Sequence, residues 1–313
     1  MKLAIFDDHR AGLVAADGSS LVDVSDLLRR DEASASGESW WVRACRDFPD
    51  LHPRLEEAAA ERPAIPLSSV RLLPPVLRPG KVVAAASNYA SHRAEMAEAR
   101  RRAGSSRTGE GSFDVFLKAP TSIVGPSATV VLPRAPLSEG RTVHFETELA
   151  LVIGRGGRDI AEADALDHVL GYTIAMDFTV RGAGDRSRRK SYDTFTPVGP
   201  WLTTADEIPD PESLGIRLQV NGEQRQDGNS ADLIVDLRGI LAFASSVMTL
   251  EPGDLVLTGT PPGVGPVADG DALIAEIDLL GHMDLTVSGP PVAAAAGDGS
   301  AGHATIPAST SGH

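Results

Sequence analysis

His144-Phe145-Glu146-Thr147-Glu148-Leu149-Ala150-Leu151-Val152-Ile153-Gly154 sets two glutamates at the head of an apolar run that stops at glycine. The run reads as a strand over 148–153. Successive side chains on a strand point to opposite faces, so residues two apart share a face, and Glu146 and Glu148 are expected side by side. Two like charges on one face invite a cation, although the spacing alone also describes an ordinary acidic pair. A second strand-like run, Gly171-Tyr172-Thr173-Ile174-Ala175-Met176-Asp177, ends on another carboxylate. Three carboxylates without a thiolate suit a hard divalent ion, Mg²⁺ or Mn²⁺ before Zn²⁺, with water or substrate oxygens completing the coordination.

Composition narrows what surrounds this pattern. The chain has 313 residues, 42% hydrophobic and 23% charged, enough to bury a real core. With 29 basic against 43 acidic residues the formal charge is −14, a field that repels phosphate backbones and anionic lipid. Nucleic acid and membrane partners are therefore not expected, and no apolar stretch reaches the ~18 residues needed to cross a bilayer. Met1 to Phe6 is too short for a signal-peptide core before Asp7-Asp8, so the expected location is the cytoplasm. The single Cys45 excludes an internal disulfide and a Cys-rich zinc site.

The first 72 residues read as a small α/β cap, with a strand over 2–6, a turn at Asp17-Gly18 and a helix over 47–62. Pro63, Pro66, Pro74, Pro75 and Pro79 then interrupt any helix and mark a boundary. From 73 to 287 the chain is strand-rich, with strands expected over 82–86, 128–132, 216–220, 255–258 and 273–277. Two helices are expected there, over 161–170 and 234–248, the second with Leu237, Ile240, Leu241 and Ala244 on one face. Residues 288–313 turn to Ala, Gly, Ser, Pro and Thr and are expected to form a disordered tail. Glycines 154, 156 and 157 lack the spacing of a dinucleotide-binding turn.

Read individually, several further residues keep two meanings. His92 and Glu95 are three apart, so on a helical turn they adjoin, either as a water-activating pair or as an exposed ion pair. Lys190 closes the basic run Arg186-Ser187-Arg188-Arg189-Lys190, and Thr258-Gly259-Thr260-Pro261 is a tight turn whose hydroxyls and amides could meet a carboxylate.

The order of these segments is more specific than any one of them. V-A-A-A-S-N-Y-A-S-H-R-A-E over 83–95, Phe116-Leu117-Lys118 with Gly125-Pro126, the Glu146/Glu148 strand, Asp177, K-S-Y-D-T-F-T-P-V-G-P over 190–200 and Thr258-Gly259-Thr260-Pro261 together resemble the fumarylacetoacetate hydrolase family. The resemblance implies an α+β fold: a mixed β-sheet roll, or partly open barrel, as catalytic domain over 73–287, with the small α/β cap before it. It implies Glu146, Glu148 and Asp177 as ligands of Mg²⁺ or Mn²⁺, and His92 and Glu95 as a catalytic pair on a lid segment. It further implies Lys190 beside the developing negative charge, and Lys118, Arg181, Tyr192, Thr258, Gly259 and Thr260 at the substrate. A homodimer is the usual assembly.

The expected reaction is hydrolysis of a C–C bond in a 2,4-dioxo acid of acylpyruvate or fumarylpyruvate type, as in aromatic catabolism. The alternatives are decarboxylation of a 2-oxo acid, isomerisation of ring-cleavage dioates, and a non-catalytic ligand binder on the same fold. Two departures bear on substrate choice. His144-Phe145 stands where many members have Asp-Tyr, and Gly182-Ala183-Gly184 replaces an acidic residue followed by Leu-Gln. A basic stretch over 97–112, with Arg100, Arg101, Arg102 and Arg107, reads as a solvated lid hinge or as an attractor of a dianion.

Overall fold

The computed structural model describes residues 1–29, 39–102 and 113–290. The tail expected over 288–313 lies outside them except for its first three residues, of which Ser288 closes the last strand; the side chains of Arg100, Arg101, Arg102 and Arg107 also lie outside.

The strand Thr147–Ile153 is buried at every position, as is its antiparallel partner Val169–Met176. Both are covered on two faces, and their alternation divides residues between two cores. Leu149, Leu151, Ile153, Ile174 and Met176 enter one; Ala150, Val152 and Ala175 enter the other. The first core is closed by a second, five-stranded sheet, which supplies Ile216, Leu218, Leu273, Ala275 and Met283, and by the helix Leu237–Val247. The second is closed by Trp41, Phe48 and Leu55 from the helices Trp40–Arg46 and Phe48–Glu61. A three-stranded sheet, Thr179–Val180 with Val143–His144 and Pro266–Val267, completes the α+β roll, and no sheet closes on itself.

The strands of residues 1–72 do not form a sheet of their own. Lys2–Phe6 pairs antiparallel with Thr196–Thr204, with Leu3 opposite Leu202, so the N-terminal strands extend one twelve-stranded sheet that runs through Thr147–Ile153 to Val115–Lys118.

Most expected elements are present within a residue or two. The exception is the helix expected over 161–170: Glu162–His168 is a 3₁₀ stretch, and Val169 already begins the strand. Pairing with Thr147–Ile153 outweighs local helical preference there. The later helix starts at Leu237 rather than 234, because the Asp236 side chain accepts from Gly239 N at 2.8 Å while Ile234 and Val235 donate to Asn88.

Candidate metal centre and active site

Strand register assembles the carboxylates. Thr147 pairs with Met176, and Asp177 N donates to Glu146 O at 2.8 Å, so Glu146 and Asp177 stand directly across from one another. Cross-strand partners share a face, and Glu148 joins them two residues along. One ligand oxygen from each of the three buried carboxylates lies within 4.8 Å of the others.

Cations of the chain surround them. Lys190, the last residue of the helix Arg186–Lys190, extends Nζ to Glu146 Oε2 at 2.6 Å and also to Asp177 Oδ2. Arg181 Nη2 donates to Glu146 Oε1 at 2.7 Å. Lys118 Nζ, fully buried, donates to Asp177 Oδ1 at 2.5 Å and to Phe195 O at 3.0 Å, so it holds the aspartate from behind. Burial opposes the charge of Glu146, yet Lys190 and Arg181 outweigh it and hold that carboxyl well below its usual range. Among the described residues Glu148 accepts only from the Gly259 amide, at 2.7 Å, and burial with Asp177 beside it pushes its pKa well up. The Lys190 ammonium is raised, because Asp177, Glu146 and Glu148 together exceed the cost of its burial.

His92 and Glu95 lie on the helix Ala90–Arg102. His92 is buried, which sets aside the reading as an exposed ion pair. Its Nδ1 is 3.5 Å from Glu95 Oε2 without hydrogen-bond alignment, and makes no other bond. Glu95 Oε2 also accepts from Gly263 N at 3.3 Å, and His92 together with that amide holds the Glu95 carboxyl below its usual range despite partial burial. The helix is thereby tied to the turn after Thr260.

The remaining expected residues divide. Gly259 touches the site through its amide, whereas Thr258 Oγ1 is spent on Leu149 O at 3.0 Å. Thr260 Oγ1 accepts from Gln226 Nε2 at 2.8 Å. Tyr192 is half-buried against Phe195, ring centroids 5.3 Å apart. Sequence reasoning did not single out Gln226 or Asn88. Gln226 ties Thr147 N to the Thr260-Pro261 turn, and Asn88 ties the entrance of the His92 helix to Val235 and Thr258. A lone amide carries no local pattern, so neither had a signal.

Residues 81–288 match the model of the fumarylacetoacetate (FAA) hydrolase C-terminal domain. The chain belongs to the fumarylacetoacetate hydrolase family. Within that family it is 39% identical to the maleylpyruvate hydrolase of Aquipseudomonas alcaligenes, over 92% of this chain and 99% of that one. A crystal structure of maleylpyruvate hydrolase from Sphingobium sp. SYK-6, in complex with manganese(II) ion and pyruvate, superposes with a TM-score of 0.80 at 42% identity, covering 93% of this chain and all of that one. The mitochondrial oxaloacetate tautomerase of Xenopus laevis is 35% identical over 89% of this chain and 86% of its own length.

The divalent cation that the family fold implies is matched by the donor set here. Three buried hard oxygens converge, and one of them, on Glu148, has no side-chain cation bonded to it among the described residues.

Proposed function

We propose that this fumarylacetoacetate hydrolase family member is a hydrolase dependent on Mg²⁺ or Mn²⁺ that cleaves a C–C bond in a 2,4-dioxo acid, with maleylpyruvate-type acids foremost. The observation carrying the reading is the convergence of Glu146, Glu148 and Asp177 within 4.8 Å, in one site with Lys190 and the His92 helix. The likeness to two maleylpyruvate hydrolases across nearly the whole chain supports the reaction class. When bound by Glu146, Glu148 and Asp177, the divalent ion would supply Lewis-acid chemistry to the 2-oxo acid.

The chain's residues do the rest. The His92 imidazole takes a proton from water as the water oxygen bonds to the distal carbonyl carbon, and Glu95 at 3.5 Å stabilises the resulting imidazolium. The C–C bond then breaks, and its electron pair passes to the 2-oxo acid fragment. The ammonium of Lys190, held between Glu146 and Asp177, is assigned the stabilisation of that negative charge. Arg181 holds the Glu146 carboxylate and the Gly259 amide that of Glu148. Reprotonation releases pyruvate and a carboxylic acid.

Product analysis in H₂¹⁸O with a panel of 2-oxo and 2,4-dioxo acids tests the reading. Hydrolysis places label in the released acid, while decarboxylation, isomerisation or tautomerisation does not. Glu146→Ala is expected to abolish both the thermal stabilisation by Mn²⁺ and turnover. His92→Ala is expected to keep the Mn²⁺ stabilisation and lose roughly 10²-fold or more in kcat; full activity in that variant would overturn the dyad.

The protein is further proposed to act in the cytoplasm as a homodimer. No described helix is long and apolar enough to cross a membrane. Sedimentation equilibrium measures the assembly, a monomer overturning this part of the proposal.

A further inference from the structure

Buried polar nitrogens without a partner are rare in folded proteins, because each forfeits roughly 1–3 kcal/mol of hydration that nothing returns. Among the described residues seven buried side-chain polar atoms lack a partner, and three of them gather beside Glu146: His92 Nδ1, His144 Nδ1 and Arg181 Nε. The Nδ1 of His92 has Glu95 at 3.5 Å. The other two have no hydrogen-bond partner among the described residues.

Strand pairing explains why His144 and Arg181 are neighbours. His144 stands opposite Thr179, and Arg181 N donates to Thr142 O at 2.8 Å, so Thr142, His144, Thr179 and Arg181 share one face, with Arg181 diagonal to His144. Arg181 reaches Glu146 with Nη2, leaving Nε behind. The charged groups close enough to act on the imidazole are Arg181, Glu146 and, from the helix Ala90–Arg102, Glu95. Its Nε2 lies 3.1 Å from the Thr142 hydroxyl; with that hydroxyl as donor, Nδ1 bears the ring proton.

An unpartnered N–H donor on each of two neighbouring residues of one sheet face is matched by an acceptor with two oxygens. We infer that His144 is a specificity-determining residue, its Nδ1–H joining the Nε–H of Arg181 to bind the far carboxylate of a dioic 2,4-dioxo acid. The inference rests on the proposed reading of the triad as the seat of the 2-oxo acid end. Arginines 141 and 189 spend guanidinium nitrogens on backbone carbonyls of residues 180, 181, 183 and 184, bracing the Gly182-Ala183-Gly184 loop and adding positive charge near Arg181.

The test compares kcat/KM for maleylpyruvate and for the mono-acid acetylpyruvate in Mn²⁺-loaded wild type, His144→Leu and His144→Asn. His144→Leu is expected to lower the dioic-to-mono ratio about tenfold, the worth of one charge-assisted hydrogen bond, mainly through KM. His144→Asn, whose amide N–H can stand in for Nδ1–H, is expected to restore the ratio to within about threefold of wild type. An unchanged ratio in His144→Leu, or equal loss in both variants, overturns the inference. Thermal stabilisation by Mn²⁺ with oxalate, measured on all three proteins, separates the failures. If wild type gains none, the 2-oxo acid reading falls and takes this one with it; if all three gain it while the ratio stays constant, only the role of His144 falls.

Discussion

Gly263 shows how far the placing of Glu95 depends on one residue. Its φ is +94°, and a Cβ there would stand 1.9 Å from Arg225 O, while its amide is the hydrogen bond that reaches Glu95. Gly263→Ala is expected to cost more than ~1 kcal/mol in urea unfolding and to lower kcat, since Glu95 loses its tether. Unaltered stability and turnover would mean the turn can relax without moving Glu95. At this scale the sequence was legible where residue type and spacing coincide: the Glu146/Glu148 spacing, the His92/Glu95 spacing and the carboxylate at the end of its strand. His144 and Gln226 were not, because what they do depends on partners far along the chain, Arg181 for one and Thr147 with Thr260 for the other.

Among elements, the strand Ser20–Asp23 carries a pH-dependent anchor. Burial works against the Asp23 carboxylate, but the Ser25 hydroxyl and amide and the Arg10 guanidinium outweigh it and hold its pKa below the usual value. A carboxylate depressed in the folded state stabilises fully above its unfolded pKa, about 3.9, and loses that contribution as pH falls through the lower folded value. The urea midpoint of Asp23→Asn should therefore lie below wild type at neutral pH, and the gap should close as pH drops beneath about 4. A gap independent of pH would assign the loss to geometry alone. Periodicity located most elements, including the face of Leu237, Ile240, Leu241 and Ala244, all buried in one core. It misread 161–170, where the decisive interaction is a cross-strand ladder that no local window contains.

Across the whole molecule, one sheet joins the N-terminal strands to the strands that hold the carboxylates. Leu3 faces Leu202 across that junction, both buried in the core that also contains Trp41 and Ala150. Unfolding should be a single event: far-UV circular dichroism and tryptophan fluorescence are expected to report the same Tm, and Leu202→Ala to lower both together by the equivalent of about 2–5 kcal/mol. Two separate transitions would show that the cap folds independently of the roll.

Composition and local pattern by themselves established an anionic chain with alternating strand and helix patterns, two glutamates on one strand face and a His/Glu pair at helical spacing, because alternation, charge and i,i+3 spacing act over a few residues. Only the tertiary structure decided that Glu146 faces Asp177, that Lys118 and Arg181 grip the carboxylates from two sides, that the cap shares its sheet with the catalytic strands, and that His144 stands beside Arg181. Each of these is a matter of strand register between distant segments, set by the simultaneous burial of two cores rather than by any run of neighbouring residues.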